Sequence, residues 1–212
     1  AGLPAMRIPH GGDRLPSAVK RCFMLNAWIA NGLGYFIIGG FLAVTPFVGA
    51  RLGLSPSHTI WLACAMYVAR AASFYLFLQW EGWHYHAAWS MTAAWCAPFC
   101  LLLVFFAPNV SVVFVSLVLL GAALGLTYSG SLYYSLDLGE NKGEHGGLHE
   151  AIIGGGALFG PLVGAVGATL FGSTTAAQIV MVAVAVLATG VGALLFVRGL
   201  RRPVAAVPVK SG

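Results

Sequence analysis

The sequence predicts an all-α membrane protein, a bundle of six transmembrane helices. Three observations predict it. Hydrophobic residues make up 59% of the 212 positions and charged residues only 8%, with a mean hydropathy of +0.86. The apolar residues gather into six windows long enough to cross a bilayer. The basic residues gather on one side of the topology that those windows generate. A soluble domain carries about 25% charged residues because its surface must be solvated, and this chain has far too few to do so. Its apolar content equally excludes disorder.

The first segment, residues 1–21, holds Pro4, Pro9, Gly11, Gly12 and Pro16 among scattered charges and reads as an irregular cytoplasmic lead-in. It lacks the apolar core of a signal peptide. A transmembrane domain over 22–199 follows, and 200–212 reads as a cytoplasmic tail. The six windows fall at 24–47, 59–78, 87–107, 110–136, 148–171 and 176–197. A hydrocarbon core of about 30 Å needs roughly 20 helical residues, which each window supplies. Their continuous apolarity implies helices, because barrel strands alternate. Connections at 49–58, 79–86, 108–109 and 172–175 are short, and the longest, 137–147, reads DLGENKGEHGG.

Orientation follows from charge. Nine of the eleven Lys and Arg residues fall on the side shared by both termini and the second and fourth loops. The opposite side holds Arg51, and Arg70 lies inside a span. Cytoplasmic loops carry the excess of Lys and Arg, so both termini are expected in the cytoplasm of a plasma or bacterial inner membrane. Trp80, Trp83 and Tyr85 read as an interfacial aromatic belt. The net charge of +5 belongs to this topology signal and not to a nucleic-acid partner, since no basic face interleaved with aromatics accompanies it. The partners expected are the bilayer and a small-molecule solute. Cys96 and Cys100, at i and i+4, share a helix face and read as small buried hydrophobes. No zinc-type pair is present, and neither a metal nor a cofactor is implied.

Arg70 is the sharpest anomaly. It lies about 12 Å from the cytoplasmic end of the second span, at 1.5 Å per residue. A mid-membrane arginine costs at least about 2.5–3.5 kcal/mol and normally faces protein or water. No acidic residue lies deep in another span to pair with it, so an anionic solute, a partner chain or helix carbonyls would serve. The first and fourth spans are the most polar. Asn31 and Tyr35 share a face of the first, and the fourth ends TYSGSLYYS, with Tyr128 and Ser131 among its hydroxyls. Polar groups at membrane depth need partners from neighbouring helices or a wet cavity.

The fifth span carries Gly156, Gly160 and Gly164 every four residues, which lines one face for close contact. Pro161 removes a backbone donor and invites a bend. Glu150 opens this helix, where a carboxylate suits the macrodipole, and with His149 it is a candidate coupling pair. His145, His149 and Glu150 together would be the one conceivable metal set. No enzyme is expected. All histidines except His58 lie in cytoplasmic segments, so nothing in the spacing brings one within reach of Ser131, and a nucleophile–base pair needs contact of about 2.6–3.2 Å.

At GLHEAIIGGGALFGPLVGAVG, preceded by LTYSGSLYYSLD, the sequence resembles the major facilitator superfamily. The matching motif is GxxxGPxxG, here Gly156, Gly160, Pro161 and Gly164. By topology the resemblance covers essentially the whole chain, as the carboxy-terminal six-helix half of a twelve-helix transporter. It implies a central cavity lined by the first and fourth helices, with Asn31, Tyr35, Tyr128 and Ser131, and second and fifth helices that meet the other half. The family's charged loop signature is absent from QWEGWHYH, and only one half is present. Alternating access needs two halves, so the chain is expected to pair with the missing part of a longer chain, another copy or a partner subunit. The other reading is a non-transporting membrane scaffold assembled through the glycine ridge.

Overall fold

The computed structural model describes residues 15–138 and 142–201, apart from the side chains of 142–145. The lead-in before Leu15 and the tail after Arg201 lie outside the described residues. Six helices follow in order: α1 Ser17–Arg51, α2 Pro56–Gln79, α3 Ala87–Phe106, α4 Val110–Asp137, α5 Lys142–Phe171 and α6 Thr174–Arg201. There is no strand among the described residues, and all six helices are long and apolar enough to cross a membrane. The protein is therefore an all-helical integral membrane protein.

The helices begin and end where the sequence supplies the chemistry. Ser55 Oγ accepts from the His58 amide at 3.3 Å, with Pro56 opening α2, where a missing amide proton costs nothing. Asn109 Oδ1 accepts from the Val112 amide at 2.8 Å, and Ser173 Oγ from the Ala176 amide at 3.1 Å. Gly53 and Gly172 take positive φ just beyond α1 and α5, the left-handed turn that suits glycine after a helix. Arg51, expected as a lone basic residue on the far side, donates through its guanidinium to the carbonyls of Val104 and Ala107 at the end of α3.

Two helices run well past their apolar windows. α1 starts at Ser17, so part of the expected lead-in is helix. α5 starts at Lys142, so most of the expected loop 137–147 is helical too. Glu150 accordingly sits more than two turns inside α5 and does not open it, which removes the macrodipole account of its position.

The central elements are α1 and α4. α1 packs on all five other helices, most extensively on α5, and α4 packs most extensively on α2. α3 and α6 lie against each other and close one side of the α1–α4 pair. Exchanging α1–α3 with α4–α6 interconverts the α1–α5 and α2–α4 contacts, and the α1–α6 and α3–α4 contacts. Two contacts break the relation, since α1 with α3 and α5 with α6 lack counterparts of like weight. α2 and α5 do not pack on each other, and their apolar windows are the least buried of the six. The order α2, α4, α1, α5 thus forms a face with no helix across it.

Glycine sets how closely this face is drawn together. A Cβ at Gly160 would fall on the Phe36 carbonyl oxygen and 2.7 Å from the Gly40 amide. One at Gly156 would fall on the Gly32 carbonyl oxygen, 3.0 Å from Tyr35 Cβ. On the other seam a Cβ at Gly121 would strike the Met66 carbonyl, and one at Gly125 would lie 3.1 Å from the Arg70 carbonyl. Backbone-to-backbone packing of this kind is what small residues permit between membrane helices. It seats Tyr35 of α1 against α5, and Arg70 of α2 against α4. Outside, Trp61, Leu78 and Leu170 are more than 70% exposed, which suits a lipid-facing surface.

Candidate functional site

The exposed face gathers one charged cluster. Arg70 of α2 points across α4 to α1, where its Nη2 donates to Tyr35 Oη at 2.7 Å. Three rings surround the guanidinium: Tyr35 at 4.9 Å, Tyr128 at 5.3 Å and Phe74 at 5.4 Å from Cζ to centroid. Phe74 lies one turn after Arg70 and touches Tyr128 with a centroid separation of 5.2 Å. Ring faces attract a cation, by about 0.5–1 kcal/mol when exposed and about 2 kcal/mol or more when desolvated. No carboxylate among the described residues lies within salt-bridge distance of Arg70. Its Nε is buried without a hydrogen-bond partner. An arginine does not deprotonate in a protein, so this is a standing positive charge balanced by ring faces and one phenol.

Beyond Tyr128 the cluster continues into α5. The Tyr128 and His149 rings lie 5.3 Å apart, edge to face. Ser131 Oγ and His149 Nδ1 are hydrogen-bonded at 2.8 Å, both fully buried, and His149 Nε2 has no partner. This contact corrects the expectation that Ser131 has no histidine within reach. It arises because α5 is helical through His149 and lays that side chain against α4. As nucleophile and base the pair is poorly placed. The Ser131 side chain has no exposed surface, and nothing orients the far nitrogen of the ring. Ser131 also supports its own helix, since its carbonyl accepts from Ser135 Oγ at 2.6 Å and Ser135 Oγ accepts from Trp28 Nε1 at 2.8 Å.

Of the five cavity residues expected from the sequence, Tyr35, Arg70 and Tyr128 are in direct contact. Ser131 joins them through His149. Asn31 is buried on the same face of α1 as Trp28 and Tyr35, with Nδ2 unpartnered, so no hydrogen bond from that nitrogen ties it to the cluster. Glu150 is exposed on α5, within electrostatic range of Tyr128, as is Arg70. The His145 side chain lies outside the described residues, so the conceivable metal set does not form among described residues. Phe74 was legible only as an aromatic one turn from Arg70.

The glycine motif divides between two neighbours. Gly156 and Gly160 face α1, whereas a Cβ at Gly164 would meet Met181 Sδ of α6 at 3.0 Å. The ridge therefore packs against α1 and α6 of the same chain. Pro161 stands within an unbroken α5, beside Gly39 of α1.

A second polar network locks the end of the bundle that carries the α2–α3 loop. Lys20 Nζ pairs with Asp137 Oδ2 at 2.8 Å, and Tyr85 Oη donates to the same carboxylate oxygen. The Tyr85 amide donates to Tyr134 Oη at 3.2 Å, and Trp83 Nε1 to the Phe77 carbonyl at 3.1 Å. Trp83 and Tyr85 are each 4% exposed, so they are core residues and not members of an aromatic belt. Positive φ at Tyr85 turns the loop inward to place them. Burial raises the Tyr85 phenol above its ordinary range, with the acceptor Asp137 adding to the shift.

His84 stacks on Tyr133 with centroids 3.8 Å apart and planes 9° from parallel. Burial lowers its pKa below the ordinary value, opposed by the Glu81 and Asp137 carboxylates. The folded loop thus favours neutral His84, and the unfolded chain binds more protons near pH 6. Its contribution to stability is complete above the ordinary pKa of about 6.5 and is lost as pH falls below it. His84→Phe keeps a stacked ring that does not titrate. On going from about pH 7.5 to about pH 5.5 its melting temperature should fall by about 1–2 °C less than that of the parent. Equal falls in a differential-scanning measurement would remove the role given to His84.

No protein-family model matches the chain, and no curated protein does.

Proposed function

We propose that the chain is one half of a secondary transporter, which moves a small solute across the membrane by alternating access once joined to a second six-helix half. The observation that carries this reading is the open face α2–α4–α1–α5, on which Arg70 has no carboxylate partner among the described residues. A lone cationic group within a span is costly and marks a solute or ion pathway by default. The near-symmetric exchange of three-helix units supports it, because transporters of this kind are built from inverted repeats with solute sites at the repeat interface. The resemblance of Gly156, Gly160, Pro161 and Gly164 to the major facilitator motif points the same way. Tyr35, Arg70, Tyr128 and His149 would line the solute side of the face, with Asn31 and Ser131 behind them. The face would close against the second half.

Reconstitution of the whole protein into liposomes tests the reading. Saturable solute uptake is expected. In a background without Cys22, Cys64, Cys96 and Cys100, a cysteine at Tyr128 should react with a small aqueous thiol reagent and be protected by the transported solute. A protein that oligomerises in the membrane, moves no solute and leaves that cysteine unreactive would be a scaffold, and the transporter reading would be abandoned.

A further inference from the structure

We infer that the solute of this site is a small organic monoanion, held by a carboxylate or similar oxyanion group on Arg70 with its apolar body against Tyr35, Phe74 and Tyr128. The inference rests on the transporter reading for its physiological meaning, but binding can be measured without transport. Three features of the cluster carry it. The first is charge. Arginine is a cation in proteins, and the only described hydrogen bond of Arg70 is to the Tyr35 hydroxyl. A guanidinium offers five donors in a planar fork that matches an oxyanion two bonds at a time, and only one donor is engaged.

The second feature is unmet hydrogen bonding. Arg70 Nε and His149 Nε2 are both buried and unpartnered, and they flank Tyr128, whose ring lies 5.3 Å from the guanidinium carbon and 5.3 Å from the imidazole centroid. Buried polar groups in native proteins nearly always find partners, so two such nitrogens bordering one ring indicate a polar ligand. The three rings around Arg70 restrict that ligand to one with apolar surface beside its acid group.

The third is the far wall. Glu150, exposed on α5 and next in sequence to His149, acts electrostatically on Tyr128, as Arg70 of α2 does. A single negative charge at Arg70 is tolerated there. A second charge extended towards α5 would approach the carboxylate and be repelled by it. The site thus prefers monoanions to dianions.

The test uses the purified whole protein in detergent at matched ionic strength, with benzoate, lactate, succinate, inorganic phosphate, glucose and choline as probes. Thermal stabilisation and tryptophan quenching are read for each. Benzoate should bind most tightly, with lactate weaker, succinate and phosphate weaker still, and glucose and choline without effect. Phosphate binding above benzoate would assign the site to inorganic oxyanions and overturn the organic class. Arg70→Gln should weaken benzoate binding about tenfold or more. Arg70→Lys keeps the charge without the fork and should weaken it by a smaller factor. Glu150→Gln, at an exposed position, should improve succinate binding relative to benzoate. Stabilisation by glucose or choline, no response to any anion, or unchanged benzoate affinity in a folded Arg70 variant would each overturn the proposal. Benzoate binding without liposome uptake would leave this site standing and remove the transporter reading. Uptake of glucose without anion binding would do the reverse.

Discussion

Arg70→Leu is expected to abolish solute uptake while leaving the helices assembled. The guanidinium makes one hydrogen bond and faces three rings, so its removal forfeits a few kcal/mol of favourable contacts at most. Against this, the mid-span charge itself costs about 2.5–3.5 kcal/mol, and leucine relieves that cost. The two terms nearly cancel, and the melting temperature should move by only a few degrees. Function does not share in the cancellation. A solute that pairs with Arg70 loses that cationic partner, and deleting one member of a buried hydrogen-bonded charge pair costs about 2–5 kcal/mol. At 1.4 kcal/mol per tenfold, uptake should fall at least about thirtyfold. Parallel uptake and melting measurements check this: unchanged uptake would sink the role of Arg70, and a collapsed melt would make it structural.

The fold was legible in the sequence because hydropathy reports the crossing of hydrocarbon: five of the six windows lie within the helices found, and the third overruns α3 by one residue, Ala107. Hydropathy says nothing about where a helix stops once it leaves the apolar layer. That is why the start of α5 was misplaced: KGEHGG looks like loop by composition, yet Lys142 and the residues after it continue the helix. The consequence reached the site. His149 stood at the cytoplasmic start of the fifth window, and its contact with Ser131 was invisible there, because the pairing depends on how α5 lies against α4.

Arg70 stood out as an anomaly from its position alone. Its surroundings did not, since a carboxylate was the partner sought and Tyr35, Phe74 and Tyr128 supply ring faces instead. Trp83 and Tyr85 misled for a related reason. Aromatics at the end of a span read as a belt unless a backbone reversal turns them inward, and the positive φ at Tyr85 has no signature in an ordinary tyrosine. The glycines were read correctly as close-packing residues, but sequence spacing does not say which neighbour each one meets.

That last distinction gives the second large effect. Gly160→Leu should strongly destabilise the folded chain, whereas leucine at Gly154 or Gly155 should be tolerated. All three glycines lie on the same helix within six residues, and composition gives no reason to separate them. The structure does. A Cβ at Gly160 would occupy the Phe36 carbonyl oxygen and approach the Gly40 amide to 2.7 Å, while at Gly154 and Gly155 nothing lies within 4 Å. The obstructing atoms are backbone, so no rotamer change makes room, and α5 has to move away from α1. This contact is the most extensive in the bundle, and the same displacement would withdraw Tyr35 and His149 from the Arg70 cluster. Overpacking costs typically 1–3 kcal/mol, and a rigid backbone obstacle belongs at or above the top of that range, about 3 kcal/mol or more. At roughly 2–4 °C per kcal/mol for a chain of this size, the melting temperature should drop by about 10 °C. Detergent-solubilised Gly160→Leu should therefore elute as aggregate or melt far below the parent, with Gly154→Leu close to it. A Gly160→Leu protein that elutes and melts like the parent would mean that α1 and α5 are not held at this distance.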